Sequence, residues 1–150
     1  MKPIIGITMG DPASIGPELC LRALADERLY EICSPIIVGD SCILERAKNI
    51  PGIPQLKIHS IQDVREASFS PGTLDLIDMH AATLEGSPIG QVSPEAGNAA
   101  FIYLELSSQV QHQAKENLIG RFPVEAFAGT VIQFSSEGRE VAVVKGLEIH

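Results

Sequence analysis

The sequence predicts an α/β fold in which a largely parallel sheet is flanked by helices. Three observations lead there. Short runs rich in β-branched residues end at Gly-Asp pairs or turn signals, amphipathic segments follow them, and the two kinds alternate along the chain. The composition agrees: of 150 residues, 45% are hydrophobic and 20% charged, as in ordinary globular proteins. Trp is absent and aromatic residues make up 5%, so aliphatic side chains must fill the core.

The elements follow in order. Residues 4–9 (Ile4-Ile5-Gly6-Ile7-Thr8-Met9) read as a buried strand bounded by Pro3 and Gly10-Asp11-Pro12. A helix through Leu19, Leu21, Ala23, Leu24 and Ala25 comes next. Gly16 or Ser14 is expected to cap it, Pro17 suits its first position, and Glu18 favours its positive end. Ser34-Pro35 breaks that pattern, and Ile36-Ile37-Val38 is a second buried strand ending at Gly39-Asp40. Ser41 opens a helix carrying Ile43, Leu44 and Ala47 and closed by Asn49 and Pro51. Residues 56–61 alternate as a third strand, and residues 74–78 form a fourth after the turn signal Ser70-Pro71-Gly72. Residues 80–94 read as loop and residues 94–117 as a long helix. Residues 120–129 form a break, and Thr130 to Val144 is a β-hairpin turning at Ser135-Ser136-Glu137-Gly138. Residues 1–106 therefore make one coherent module, and 107–150 a divergent or truncated helix end plus hairpin.

A formal net charge of −8 excludes nucleic acid as a partner, because phosphate-backbone binding needs clustered Lys and Arg. It leaves room for a small phosphorylated ligand, which needs only a few local donors. No run of 18 apolar residues exists to span a membrane, and the apolar start at Met1 to Gly6 is too brief for a signal peptide, so a cytoplasmic protein is expected. Cys20, Cys33 and Cys42 form no Cys-x-x-Cys pair and read as reduced, mostly buried thiols.

Chemistry concentrates in residues 8–18, Thr8-Met9-Gly10-Asp11-Pro12-Ala13-Ser14-Ile15-Gly16-Pro17-Glu18. This is a strand-to-loop-to-helix transition at the carboxyl end of a parallel strand, the edge where open α/β sheets bind ligands. Gly10 and Gly16 allow close backbone approach, and the helix start offers free N–H groups. Asp11 and Glu18 are groups suited to a metal, a hydroxyl or a neighbouring Lys. The bland reading, a well-made turn and helix cap, stands beside this one, since neither a P-loop nor a Gly-x-Gly-x-x-Gly is present. Gly10, Asp11, Pro12, Gly16 and Glu18 are the candidate cleft residues. The four histidines, His59, His80, His112 and His150, show no i, i+4 metal spacing, so no metal ligand is assigned. No catalytic residue is assigned either, and Arg121, Arg139 and Lys145 read as scattered solvated charge.

The whole 8–18 string resembles the N-terminal signature of the 4-hydroxythreonine-4-phosphate dehydrogenase family, with Ser14 where that family usually has Gly. Ile36-Ile37-Val38-Gly39-Asp40, Leu44-Glu45-Arg46-Ala47, Pro71-Gly72 and the loop from Gly90 to Ala100 are similar too. The resemblance implies an isocitrate/isopropylmalate-dehydrogenase-like fold working as a homodimer. It implies NAD, a divalent metal, and oxidation of a phosphorylated hydroxy acid such as 4-hydroxythreonine 4-phosphate, with decarboxylation. It also implies metal-binding histidines and Lys, Asn and Arg substrate ligands in a second half, and no segment of this chain matches those. The expectation is thus the N-terminal part of such an enzyme, inactive as this chain. The alternative is a non-catalytic binding or assembly module reusing the scaffold.

Overall fold

A computed structural model describes residue 2 and residues 4–117, 130–134 and 141–145. Six strands form one sheet in the order β3-β4-β2-β1-β5-β6. They are β1 (Ile4–Thr8), β2 (Ser34–Gly39), β3 (Lys57–Ile61), β4 (Thr73–Asp78), β5 (Thr130–Phe134) and β6 (Val141–Lys145). The first four pair in parallel. β5 joins the other side of β1 antiparallel, with Ile7 opposite Val131, and β6 pairs antiparallel with β5.

The α/β class, the parallel sheet and the C-terminal pair of antiparallel strands are as the sequence predicts. The expected break at 120–129 and the hairpin turn at 135–138 lie outside the described residues, as do Arg121, Arg139 and His150. The helices are α1 (Gly16–Ala25), α2 (Glu27–Ile32), α3 (Ser41–Lys48) and α4 (Pro94–Asn117). α2 was not separated from α1 by hydrophobic period. Asp26 ends α1 in an extended conformation and starts α2 by accepting a hydrogen bond from Arg28 N, so one Asp both breaks and restarts the helix. A 3₁₀ turn at Val64–Glu66, capped the same way by Asp63, is also too short to show in sequence periodicity.

One expected cap is corrected. The N-cap of α1 is Ile15, not Gly16 or Ser14, and it makes no side-chain cap bond. Gly16 and Pro17 are the first two helical residues. Pro lacks the N–H that a cap would satisfy, so this start needs less capping.

β1 and β2 are central, and their residues are buried on both faces. β3 lies at the edge and is more open, with Lys57 and Ser60 exposed and Ile61 buried. Ile5, Ile36, Ile37, Leu74 and Leu76 form the middle of the core, joined by Leu21 and Leu24 from α1 and Ile43 and Leu44 from α3. α4 packs on β1 and β2 and sends in Tyr103, which is fully buried. Among the described residues no helix is long and apolar enough to cross a membrane.

Candidate functional site

Three loops meet at the carboxyl ends of β1, β2 and β4. The first, after β1, starts with Met9 N donating to Val38 O at 2.9 Å. Gly10 then turns with φ +72°, a left-handed conformation that only glycine adopts cheaply. Asp11 to Ser14 closes a turn, with Ser14 N donating to Asp11 O at 3.1 Å and Ala13 N to Asp11 Oδ1 at 2.8 Å. Ser14 itself is not in the left-handed region, so a Ser is accommodated there without strain.

The five candidate residues divide by role. Gly10 is required by its φ, with open space around it. Gly16 is required by packing: a Cβ there would lie 2.0 Å from Met9 O. Its smallness thus lets the helix start close against its own strand. Pro12 is buried, and the Asp11 carboxylate is used in its own turn. Glu18 is half-buried and has no hydrogen-bond or ion-pair partner among the described residues.

The second loop, after β4, is built around Asp40. Its buried carboxylate accepts from Ala81 N at 3.0 Å, Ala82 N at 2.7 Å and the Tyr103 hydroxyl at 2.5 Å. Burial first, and then the bond to Asp40, pushes the Tyr103 hydroxyl pKa far up, so it stays a donor. His80 sits at φ +50°, with Nδ1 3.6 Å from Asp78 Oδ1. Farther along, Glu95 Oε1 accepts from Thr83 N and Oγ1, both at 2.7 Å, and Gly86 leaves room for that carboxylate. Ser93 caps α4 by accepting from Ala96 N at 3.0 Å.

Arg46, on α3, joins the loops. One terminal nitrogen donates to Pro12 O at 2.8 Å and the other to Ser87 O at 2.7 Å. Beside them Gly90 N donates to Ala13 O at 2.8 Å. The two stretches that stood out in the sequence, 8–18 and 90–100, are therefore in direct contact. Sequence assigns no site role to Arg46 or Asp40, because most of their partners are backbone groups that leave no pattern in side-chain identity.

Ligand atoms of Asp40, Asp78 and His80 lie within 4.8 Å of one another, a donor set that suits a divalent cation in type. The two carboxylates nevertheless already hold protein groups. Asp40 Oδ2 already holds an O–H and two N–H groups, and a cation there would displace buried hydrogen bonds. Asp78 Oδ1 accepts from Ser41 N at 3.2 Å. We read the group as an anchor for the β4 loop, not as a fit to the metal that the resemblance implies. His59 lies elsewhere, bonded through Nδ1 to buried Asp75 at 2.7 Å, so His59 and His80 serve different carboxylates. The first turn of α1 does not fit the pyrophosphate of a nicotinamide cofactor either. The approach that Gly16 permits is taken by Met9 O, and Glu18 places negative charge in the first helical turn where a pyrophosphate would need the opposite.

No established family profile matches the chain. Individual proteins do. The D-threonate 4-phosphate dehydrogenase of Cupriavidus necator is 41% identical over 122 residues, covering 81% of this chain and 36% of that protein. A Symbiobacterium thermophilum relative, provisionally given the same name, is 37% identical over 135 residues, covering 89% of this chain and 40% of its own. The crystal structure of a 4-hydroxythreonine-4-phosphate dehydrogenase from Burkholderia phymatum matches with a TM-score of 0.71 and 39% identity, over 77% of this chain and 34% of that one. The Klebsiella pneumoniae enzyme of that name matches with a TM-score of 0.67 and 34% identity, over 76% of this chain and 34% of that one. The chain thus spans 40% or less of the length of these relatives. Over most of its own length, in sequence and in fold, it belongs with the 4-hydroxythreonine-4-phosphate and D-threonate 4-phosphate dehydrogenase family.

Proposed function

We propose that this chain supplies one wall of the cleft of an NAD- and metal-dependent dehydrogenase acting on a phosphorylated hydroxy acid, 4-hydroxythreonine 4-phosphate or a close relative, with decarboxylation. The observation that carries the reading is the joint sequence and structural match to named dehydrogenases over most of this chain. In this reading a homodimer in the cytoplasm is the working form. Gly10, Asp11, Pro12, Gly16 and Glu18 form the wall, and the metal and nicotinamide are held by residues other than those described. Their chemistry would be acidification of the substrate alcohol and acceptance of hydride. The contribution of these 150 residues is to shape and fix the wall.

The experiment is a test for NAD reduction with 4-hydroxythreonine 4-phosphate and with D-threonate 4-phosphate in the presence of Mg²⁺ or Mn²⁺. The chain alone is expected to give no turnover, since in this reading the metal and the nicotinamide are held by other residues. Turnover above trace rate would overturn that expectation.

A second reading, a non-catalytic binding or assembly module that reuses the scaffold, with the extension at 118–150 as an adapted β-hairpin, is favoured by one observation. β5 pairs directly with β1, so the extension is part of the sheet. Cooperative unfolding of the isolated chain with one defined oligomeric state supports it, and a partly unfolded or aggregating chain overturns it.

A further inference from the structure

We propose that Arg46 is a positioning residue that couples the 10–16 loop to the 87–90 loop, so that the two open and close as one body. Its half-buried guanidinium makes two bonds to backbone carbonyls, Pro12 O at 2.8 Å and Ser87 O at 2.7 Å, and no ion pair among the described residues, in a chain with an excess of acids. An Arg can do this because its planar fork presents several N–H groups at fixed angles, which a Lys point charge cannot reproduce.

Three further facts make the coupling specific. The loops are far apart in sequence, and Arg46 reaches them across 34 and 41 residues. They also touch directly through Gly90 N to Ala13 O, a bond Arg46 does not make but whose ends lie one and three residues from its acceptors. Finally, the buried Ser87 hydroxyl has no hydrogen-bond partner among the described residues, so Ser87 is held through its carbonyl, by Arg46, and not through its own side chain. Loss of the fork removes one side-chain tie from each loop at once, and leaves the Ala13–Gly90 bond as the direct link between them.

The proposal rests on the reading of residues 10–18 as a cleft wall only for its functional meaning. The coupling itself is tested without turnover, so the two ideas fail separately. The experiment is amide hydrogen exchange, read residue by residue by NMR, on the 150-residue chain and on Arg46→Met, Arg46→Lys, Gly90→Ala and the Arg46→Met/Gly90→Ala double variant. In Arg46→Met the amides of Ala13, Ser14, Gly90 and Gln91 are expected to exchange about tenfold faster or more, by a common factor, with Ile37 and Val38 unchanged. Arg46→Lys should recover only part of the protection. The double variant should exchange more slowly than the product of the two single effects requires. Faster exchange at Ala13 with Gly90 unchanged would overturn the coupling, as would an equal rise at Ile37 and Val38 or full recovery by Lys. If Arg46→Met does not fold, Arg46→Lys and Gly90→Ala decide: each must speed both loops together.

Discussion

Tyr103, in the middle of α4, donates its hydroxyl hydrogen to Asp40 Oδ2 at the end of β2, tying together residues 63 positions apart. Both are buried, and the same carboxylate gathers the amides of Ala81 and Ala82. One acid therefore holds the long helix, the second strand and the loop after the fourth strand. Tyr103→Phe should cost about 1.5–3 kcal/mol, the worth of a hydrogen bond to a charged group. Asp40→Ala should cost more than that, because it orphans several buried donors at once. Urea unfolding midpoints at constant m-value check both; a Tyr103→Phe variant as stable as the parent would remove the tie from the account.

Gly10 and Gly16 should respond differently to the same substitution. Gly10→Ala meets open space but keeps a left-handed φ, and should cost about 1–2 kcal/mol. Gly16→Ala drives a Cβ to 2.0 Å from Met9 O, a backbone atom that cannot swing aside. It should cost more than about 3 kcal/mol or prevent folding, since overpacking of a rigid neighbour has no cheap escape. Comparing the two by denaturant unfolding checks the ranking, and equal costs would contradict it.

Stability should fall as the pH rises from about 9 to about 12. Burial pushes Cys20 up from 9.0 to about 12, Cys33 from 9.0 to about 11 and Tyr30 from 10.0 to about 12. A group whose folded pKa is raised stays protonated in the native state while the unfolded chain loses its proton, so its contribution is full below the unfolded pKa and lost through the folded one. At the acid end the sign reverses. Hydrogen bonds from Arg28 and Arg65 hold Asp26 and Asp63 down at about 2, and that contribution is lost as the pH falls from about 4 towards 2. Thermal midpoints across both ranges, in constant salt, provide the check.

The thiols should separate by burial. All three cysteines are free, and only Cys42 is exposed. An aromatic disulfide reagent should therefore label one thiol per native chain, and three after unfolding. Cys42 should react more slowly than a free thiol, because partial burial, and then the carboxylates of Asp40 and Asp78, push its pKa up. Fast labelling of Cys20 or Cys33 in the native state would show that the core around α1 and α2 opens readily.

By itself the sequence determined the strand and helix order, because each buried run matches a structural period. The run from Ile4 to Thr8 has the continuous apolar character of a central parallel strand, and α4 has the expected span from Pro94 to Asn117. The signature from Gly10 to Glu18 was legible as a turn into a helix, since Gly, Pro and Asp carry their conformational preferences locally. Local propensity misplaced the α1 cap, and it missed α2 and the 3₁₀ turn, where a single Asp overrides the periodic pattern. Only the tertiary structure decided that Gly16 serves its own strand, that Asp40, Asp78 and His80 converge, and that Arg46 fastens two distant loops. The Arg46 relationship runs between a side chain and backbone carbonyls across long stretches of chain. Every residue has such a carbonyl, so no residue type announces which one will be bound; folding alone selects it, by bringing the carboxyl ends of β1, β2 and β4 to one edge.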